Sequence, residues 1–423
     1  MNIQTPRGTY DILPNEISKW HQMETLIRTV CDLYDYKEIR TPIFEDTKVF
    51  KRENDSSDMV NKEMYTFNMG NDSFTLRPEG TAGVIRSFVQ NKLYGSMELP
   101  AKLYYMGEMF RHERPQKGRQ RQFNQFGIEN IGAKNPIIDA EVIALGYSIV
   151  KSLGIDSVKV LINTLGDDES RKKYKDVLKE HFKDSINDLC ADCKKRYELN
   201  PLRILDCKID HNHESIKNAP SLEDSLNHES KKYFEEVLNA LDALDIPYEV
   251  DDKLVRGLDY YTHTVFEVIS THKDSGSQST IFGGGRYDNL VDYFGGPTMS
   301  GVGFAIGLER LLILANSEGY EFEDENYLDV YIIALENTGY FPLEIATLCR
   351  ANGFKTEFNV VERSMKSQFK SADRKNAKNI IIIGEDEVKN NEVTIKNIKS
   401  KTQVKISVTE IINQLDVFSE GEE

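Results

Sequence analysis

Two strand-like runs separated by a polar tip constrain this chain more than any other feature. KLYYMGEMFRHE (102–113) and RQFNQFGIEN (121–130) read as a hairpin whose mobile tip is PQKGRQ. The hairpin also carries a basic island. Between Arg111 and Arg121, Arg111, Arg114, Lys117, Arg119 and Arg121 stand against one acid, Glu113. The whole chain has net charge -16, from 53 basic and 69 acidic residues. Such an island in an acidic protein needs a local reason. Polyphosphate binding supplies one, because guanidinium forks match phosphate oxygens.

A chain of 423 residues is too long for one ordinary core, so two or three domains are expected. Hydrophobic content of 39% and charged content of 29% are normal for a soluble globular protein. No apolar run is long enough to span a bilayer, so no membrane partner is expected. MNIQTPRGTYDILP lacks the apolar region of a secretory signal. Five cysteines are sparse and odd in number, which fits a reducing compartment. The sequence pI near 5.1 argues against indiscriminate coating of nucleic acid, yet a local basic patch still permits such a partner.

Residues 13–34 read as a first long helix with Pro14 at an early position. YKEIRTPIFE (36–45) follows as a strand broken at Pro42. MYTFN (64–68) and SFTLR (73–77) form a hairpin around Gly70-Asn71, and a helix starts at Thr81. Asp139–Leu153 is an amphipathic helix and 158–166 a strand. From about 168 to 245 Lys, Glu, Asp and Asn dominate, as in a mostly helical insertion. Strand signals return at 261–270 and 280–291, and GVGFAIGLERLLILA (301–315) turns from strand into helix. After the charged linker 318–327, strands alternate with helices in a compact α/β module. The expected division is therefore 1–325 and 326–423, with an α+β first domain built on an antiparallel sheet.

Several polar groups have neighbours that suggest chemistry. Arg310 lies among Ile306, Leu308, Leu311, Leu312 and Leu314, so its charge must be paired or useful. Glu79, before Gly80 and Thr81, reads either as a helix cap or as a group that captures an amine. VRGLDYYTHTVFEV (255–268) gathers Arg256, Asp259, Tyr260, Tyr261 and His263 before a strand, where they could wall a small polar aromatic ligand. GGGRYD (283–288) allows close backbone approach but has the spacing of neither a dinucleotide fingerprint nor a P-loop. Cys190, Cys193 and Cys207, with His211 and His213 nearby, offer zinc-ligand types. The second half lacks a CxxC pair, which favours a packed, reduced insertion, and no metal is assigned.

Together these strings resemble the bacterial histidyl-tRNA synthetases, class IIa aminoacyl-tRNA synthetases, over essentially the whole chain. IRTPIFE, MFRHERPQKGRQRQFNQFGIE and GVGFAIGLERLLIL look like class II motifs 1, 2 and 3. LVRGLDYYTHTVFEV and GGGRYDNLV look like the histidine-specific segments, and NPLRILDCK (200–208) like a signature of the bacterial insertion. RENDSSDMVNKEMY (52–65), Glu108 and His112 depart from the usual pattern without removing a substrate-binding residue.

The resemblance implies ATP-dependent ligation of L-histidine to tRNA(His) by a cytosolic homodimer, through a histidyl-adenylate and with Mg2+. It places Arg111 and Arg256 at the α-phosphate as catalytic groups, and Arg119 and Arg310 with ATP. Glu79, Thr81 and Gln125 would hold the ammonium group of histidine. Glu129 and Tyr261 would hold the ring, with Arg256, Tyr260 and Tyr287 completing the pocket. Gln116, Lys117 and Arg119 would approach the acceptor end of tRNA, the C-terminal module would read the anticodon, and Pro42 would lie at the dimer interface. The competing reading is a non-catalytic, synthetase-like regulatory subunit of histidine biosynthesis. Such paralogues usually lack the C-terminal module and parts of the motifs.

Overall fold

A computed structural model describes residues 3–52, 57, 59–272, 280–324, 326–361 and 364–420. Of the departing stretch 52–65, residues 53–56 and 58 lie outside this set. The chain divides into two compact units, Met1–Ile12 with Lys19–Glu321, and Leu13–Ser18 with Phe322–Glu423.

The first unit is organised by an eight-stranded sheet. Its order is Lys37–Glu38, Ala101–Phe110, Gln122–Ile131, Gly301–Gly307, Thr280–Tyr287, Thr262–Ser270, Val158–Thr164, Tyr248–Val250. The expected hairpin forms its second and third strands, with Tyr105 opposite Gly127 and Phe110 opposite Gln122. The interior pairs are antiparallel, whereas the short strand at each edge pairs in parallel with its neighbour. An edge strand reached by a long connection can run either way, so local pattern does not fix its direction. Phe126, Phe282 and Phe304 stack across adjacent strands, with centroids 6.0 and 4.9 Å apart, and form much of the buried floor.

Helix Pro136–Ser152 covers one face and begins three residues before the expected Asp139. Asn135 accepts from the Ile137 amide at 2.9 Å and Pro136 occupies the first turn, so the cap lies upstream of the apolar periodicity. Replacing Asn135 with Ala should cost about 1 kcal/mol of stability, read as a lower urea midpoint with unchanged slope. Asp139, on this helix, is fully buried and pairs with Arg286 of the sheet; its carboxylate also accepts from Thr264 at 2.5 Å. Arg286 is thus a structural tie between layers.

The first helix spans Ile17–Leu33. It starts later than expected because Leu13–Glu16 forms a turn, with the Glu16 amide bonded to the Leu13 carbonyl. Thr66–Met69 and Asp72–Leu76 make the predicted hairpin, and Phe44–Asp46 adds a third strand beside it. Within 168–245, helices Asp168–Phe182 and Ala191–Leu199 close over a cluster that includes Tyr174, Leu178, Phe182, Cys193, Ile204 and Leu222. Helix His228–Ala243 instead packs on Pro136–Ser152, and Tyr233 reaches Asp139 at 3.3 Å.

The second unit has a five-stranded sheet in the order Thr356–Phe358, Leu328–Ala334, Ala377–Ile383, Glu392–Asn397, Gln403–Ser407. The first three strands are parallel and the last two join antiparallel. Val330, Ile332, Ile381, Ile383 and Ile395 pack with Ile345 and Leu415 from flanking helices. The continuous apolar run IIII (380–383) fits a central strand covered on both faces.

Candidate active site

A cavity of about 480 Å³ opens over the antiparallel centre of the first unit's sheet. Arg111 enters it where strand Ala101–Phe110 ends. Its Nε donates to the Pro78 carbonyl at 2.8 Å and its guanidinium lies 5.3 Å from the Phe123 ring centre, leaving the rest of the fork toward the cavity. Arg310 comes from the first turn of helix Leu308–Ser317 and bonds the Thr280 carbonyl. The preceding Glu309 anchors that turn, accepting from the Asn124 amide at 2.8 Å. Arg119 turns inward from the hairpin tip to Glu113, at 3.6 Å, and its charge lowers the pKa of Arg310 after burial itself. Cations held this close favour a polyanion between them.

Arg256 faces these groups from the loop before strand Thr262–Ser270. It pairs with Glu267, while its buried Nε has no hydrogen-bond partner among the described residues. A Cβ on Gly283 would stand 2.7 Å from this guanidinium, so a side chain there would displace Arg256 from its path across the strand.

The cavity floor is carboxylate and phenol. Glu129 is 1% exposed and accepts from Thr81 Oγ1 and Tyr287 OH, each at 2.6 Å. Burial pushes its carboxyl up to about 8, helped by the charge of Glu79 and opposed by those two hydrogen bonds. A Cβ on Gly303 would lie 2.3 Å from a Glu129 oxygen, which explains a glycine directly beneath it. Glu79 caps a helix and faces the cavity. It accepts from the amides of Thr81 and Ala82 at 2.6 and 3.0 Å, capping helix Thr81–Gln90, and it also lines the cavity. Burial raises its pKa as well. Gln125 stands nearby, accepting from Tyr105 OH at 3.4 Å. Tyr260, Tyr261 and Tyr287 stack at 4.7 and 5.9 Å and close the far wall.

Thus Glu79, Thr81, Arg111, Arg119, Gln125, Glu129, Arg256, Tyr260, Tyr261, Tyr287 and Arg310 surround one cavity. Gln116 and Lys117 are exposed at the hairpin tip and point elsewhere, and Pro42 is on the surface. Asp259 and His263 do not line it: Asp259 accepts from Asn200 at 3.0 Å, and His263 packs 4.9 Å from Tyr233. Arg52 was not anticipated. Its guanidinium sits 4.8 Å over the Tyr260 ring, and a single Arg in a polar stretch carries no signal for that placement. Among the described residues, no helix is long and apolar enough to cross a membrane.

An antiparallel sheet with motif-borne arginines at both ends of a nucleotide-sized cavity defines a class II aminoacyl-tRNA synthetase. The choice of amino acid rests on wider similarity. Residues 8–311 match the family model described as histidyl-tRNA synthetase, and 329–417 match an anticodon binding domain. The chain is 48% identical over 418 residues to the histidine–tRNA ligase of Listeria monocytogenes, covering 98% of each protein. It superposes on the apo histidyl-tRNA synthetase of S. aureus with a TM-score of 0.84 and 42% identity, over 98% of this chain and 100% of that one. A Bacillus halodurans structure described as an ATP phosphoribosyltransferase regulatory subunit/histidyl-tRNA synthetase shares the fold, at a TM-score of 0.61 and 20% identity over 90% of this chain and 97% of that one. The chain belongs to the histidyl-tRNA synthetase family and catalyses the ATP-dependent ligation of histidine to tRNA(His).

Proposed function

We propose a division of labour in which the carboxylate floor selects histidine and the arginine rim activates it. The observation that carries this reading is that buried Glu129, Arg111 and Arg256 line a single cavity. The imidazole lies against Glu129 and Tyr261, and the ammonium group against Glu79, Thr81 and Gln125. A buried carboxylate that must be answered by a ring N–H rejects Phe or Leu without an editing step.

The histidine carboxylate attacks the α-phosphorus of ATP and pyrophosphate leaves. Arg111 and Arg256 take up the charge that develops there, from opposite sides. Arg119 and Arg310 hold the departing phosphates. Mg2+ would accompany ATP and neutralise phosphate charge, and Glu113, which lines the cavity beside Arg119, would offer it an oxygen ligand. The 3′-terminal ribose hydroxyl of tRNA(His) then attacks the adenylate carbonyl and AMP leaves. Neither step requires a protein nucleophile, only alignment and charge stabilisation.

Gln116 and Lys117, exposed on the hairpin tip, meet the acceptor end together with Arg119, and the 329–417 module meets the anticodon. The homodimer forms through the surface around Pro42. Exposed Ile43 and Phe44, with Phe44 packed 6.3 Å from half-exposed Phe67, support an apolar contact there. Five unpaired thiols support a cytoplasmic location.

Amino-acid-dependent ATP–pyrophosphate exchange, run with all twenty amino acids, tests the division of labour. Exchange with histidine alone is expected. A folded chain that exchanges with none would instead be the regulatory paralogue.

A further inference from the structure

Cys190 and Cys193 are a CxxC pair, and the structure supplies the partner pair that the sequence lacked. Cys207 and Asp210 have the same spacing, with Asp210 standing where a fourth cysteine would. Ligand atoms of all four residues lie within 4.8 Å of one another. The Cys190 and Cys207 sulfurs are 3.8 Å apart, and Cys207 Sγ lies 3.5 Å from Asp210 Oδ2. Zinc–sulfur bonds of about 2.3 Å and zinc–oxygen bonds of about 2.0 Å give tetrahedral edges of about 3.8 and 3.5 Å. The Asp210 amide donates to Cys207 Sγ at 3.3 Å, and the Cys193 amide to the Cys190 sulfur. Such amide donors orient and stabilise metal-bound thiolates. His211 and His213 are not part of the cluster, since each ring is engaged locally, with the Lys208 carbonyl and the Ser215 hydroxyl.

We propose that Cys190, Cys193, Cys207 and Asp210 form a structural zinc site that pins the insertion to the active-site wall. Binding replaces three thiol protons, which pass to solvent, and the metal is neither oxidised nor reduced. The segment between the two pairs carries the contacts that make the site matter. Arg203 Nη1 donates to the Arg256 carbonyl at 2.5 Å, Asn200 donates to Asp259, and Arg196 holds the Arg203 carbonyl at 3.1 Å. Cys190 and Cys207 themselves border the cavity. Fixing both ends of this segment therefore fixes the backbone from which Arg256 projects.

The test is metal analysis of untagged full-length protein, purified under reducing conditions without chelator from zinc-supplemented cells. About one zinc per chain is expected, lost in Cys193→Ser and Cys207→Ser and weakened in Asp210→Asn. Adding Co2+ to chelator-stripped wild-type protein should give thiolate-to-cobalt charge-transfer absorption and intense tetrahedral bands, a readout that needs no variant to fold. Stripping should lower histidine-dependent exchange, and zinc should restore it. Metal-free wild-type protein without the cobalt bands would overturn the site. So would zinc that survives Cys193→Ser, or a Cys190–Cys207 disulfide as the native state. The metal and cobalt readouts stand apart from the catalytic assignment, so either can fail alone.

Discussion

Replacing Arg256 with alanine is expected to lower histidine-dependent pyrophosphate exchange by about 10²- to 10³-fold or more, the usual loss on removing a transition-state charge partner. Three observations set Arg256 apart from a surface arginine. The sheet strand beneath it is glycine at the point of crossing, its Nε is buried without a partner among the described residues, and its carbonyl is held by Arg203 from the insertion. The loss should fall mainly on kcat, with a smaller change in KM for histidine, because the charge it meets grows as the α-phosphorus is attacked. Arg256→Lys should recover only part of the rate, since an ammonium keeps the charge but not the fork. Glu267, the ion-pair partner, is about one quarter exposed and can be rehydrated, so the alanine variant should still fold. Near-normal exchange in folded Arg256→Ala would remove Arg256 from the chemistry.

The same residues show how far a sequence can be read. The hairpin, the basic island and the strand-to-helix turn at 301–315 were legible because strand alternation and glycine placement are local signals. The side to which each charge turns was not. Of the five basic residues between Arg111 and Arg121, Arg111 and Arg119 line the cavity, whereas Arg121 donates to the Glu113 carbonyl at 3.2 Å. Arg286 looked like part of a glycine-rich ligand loop, yet it is buried on Asp139, 147 residues away in sequence. His263 sits two residues beyond Tyr261 but packs on Tyr233, because its backbone adopts φ +44° and departs from strand geometry. Asp210 was overlooked because a carboxylate three residues after Cys207 carries no signal until the chain folds back and brings it to Cys190, whose amide donates to Asp210 Oδ2 at 2.9 Å.

Glu129→Gln should move stability and activity in opposite directions. The Glu129 carboxyl stands at about 8 in the folded chain against an ordinary value of 4.5, with burial as the main cause. A carboxyl raised on folding stabilises the protein fully below its unfolded value. That stability is lost as pH rises toward the folded value, because only the unfolded chain can ionise freely. Glutamine cannot ionise, so the variant should match the wild type near pH 4.5 and melt progressively higher than it up to about pH 8, without added substrates. At about 1.4 kcal/mol per pKa unit, the full difference is on the order of 5 kcal/mol. Thr81 and Tyr287 keep a partner, since their hydroxyls can donate to the amide oxygen or accept from its nitrogen. Bound histidine, whose ring N–H would draw Glu129 into its ionised form, loses that partner. With hydrogen bonds to charged groups contributing about 1.5–3 kcal/mol, kcat/KM for histidine should fall by roughly 10- to 10²-fold. A packing residue would behave differently, since its replacement lowers stability at every pH and leaves histidine kinetics alone. A Glu129→Gln chain with a lower melting point at about pH 8 and an unchanged KM would return Glu129 to that role, and with it the basis for selecting histidine on the cavity floor.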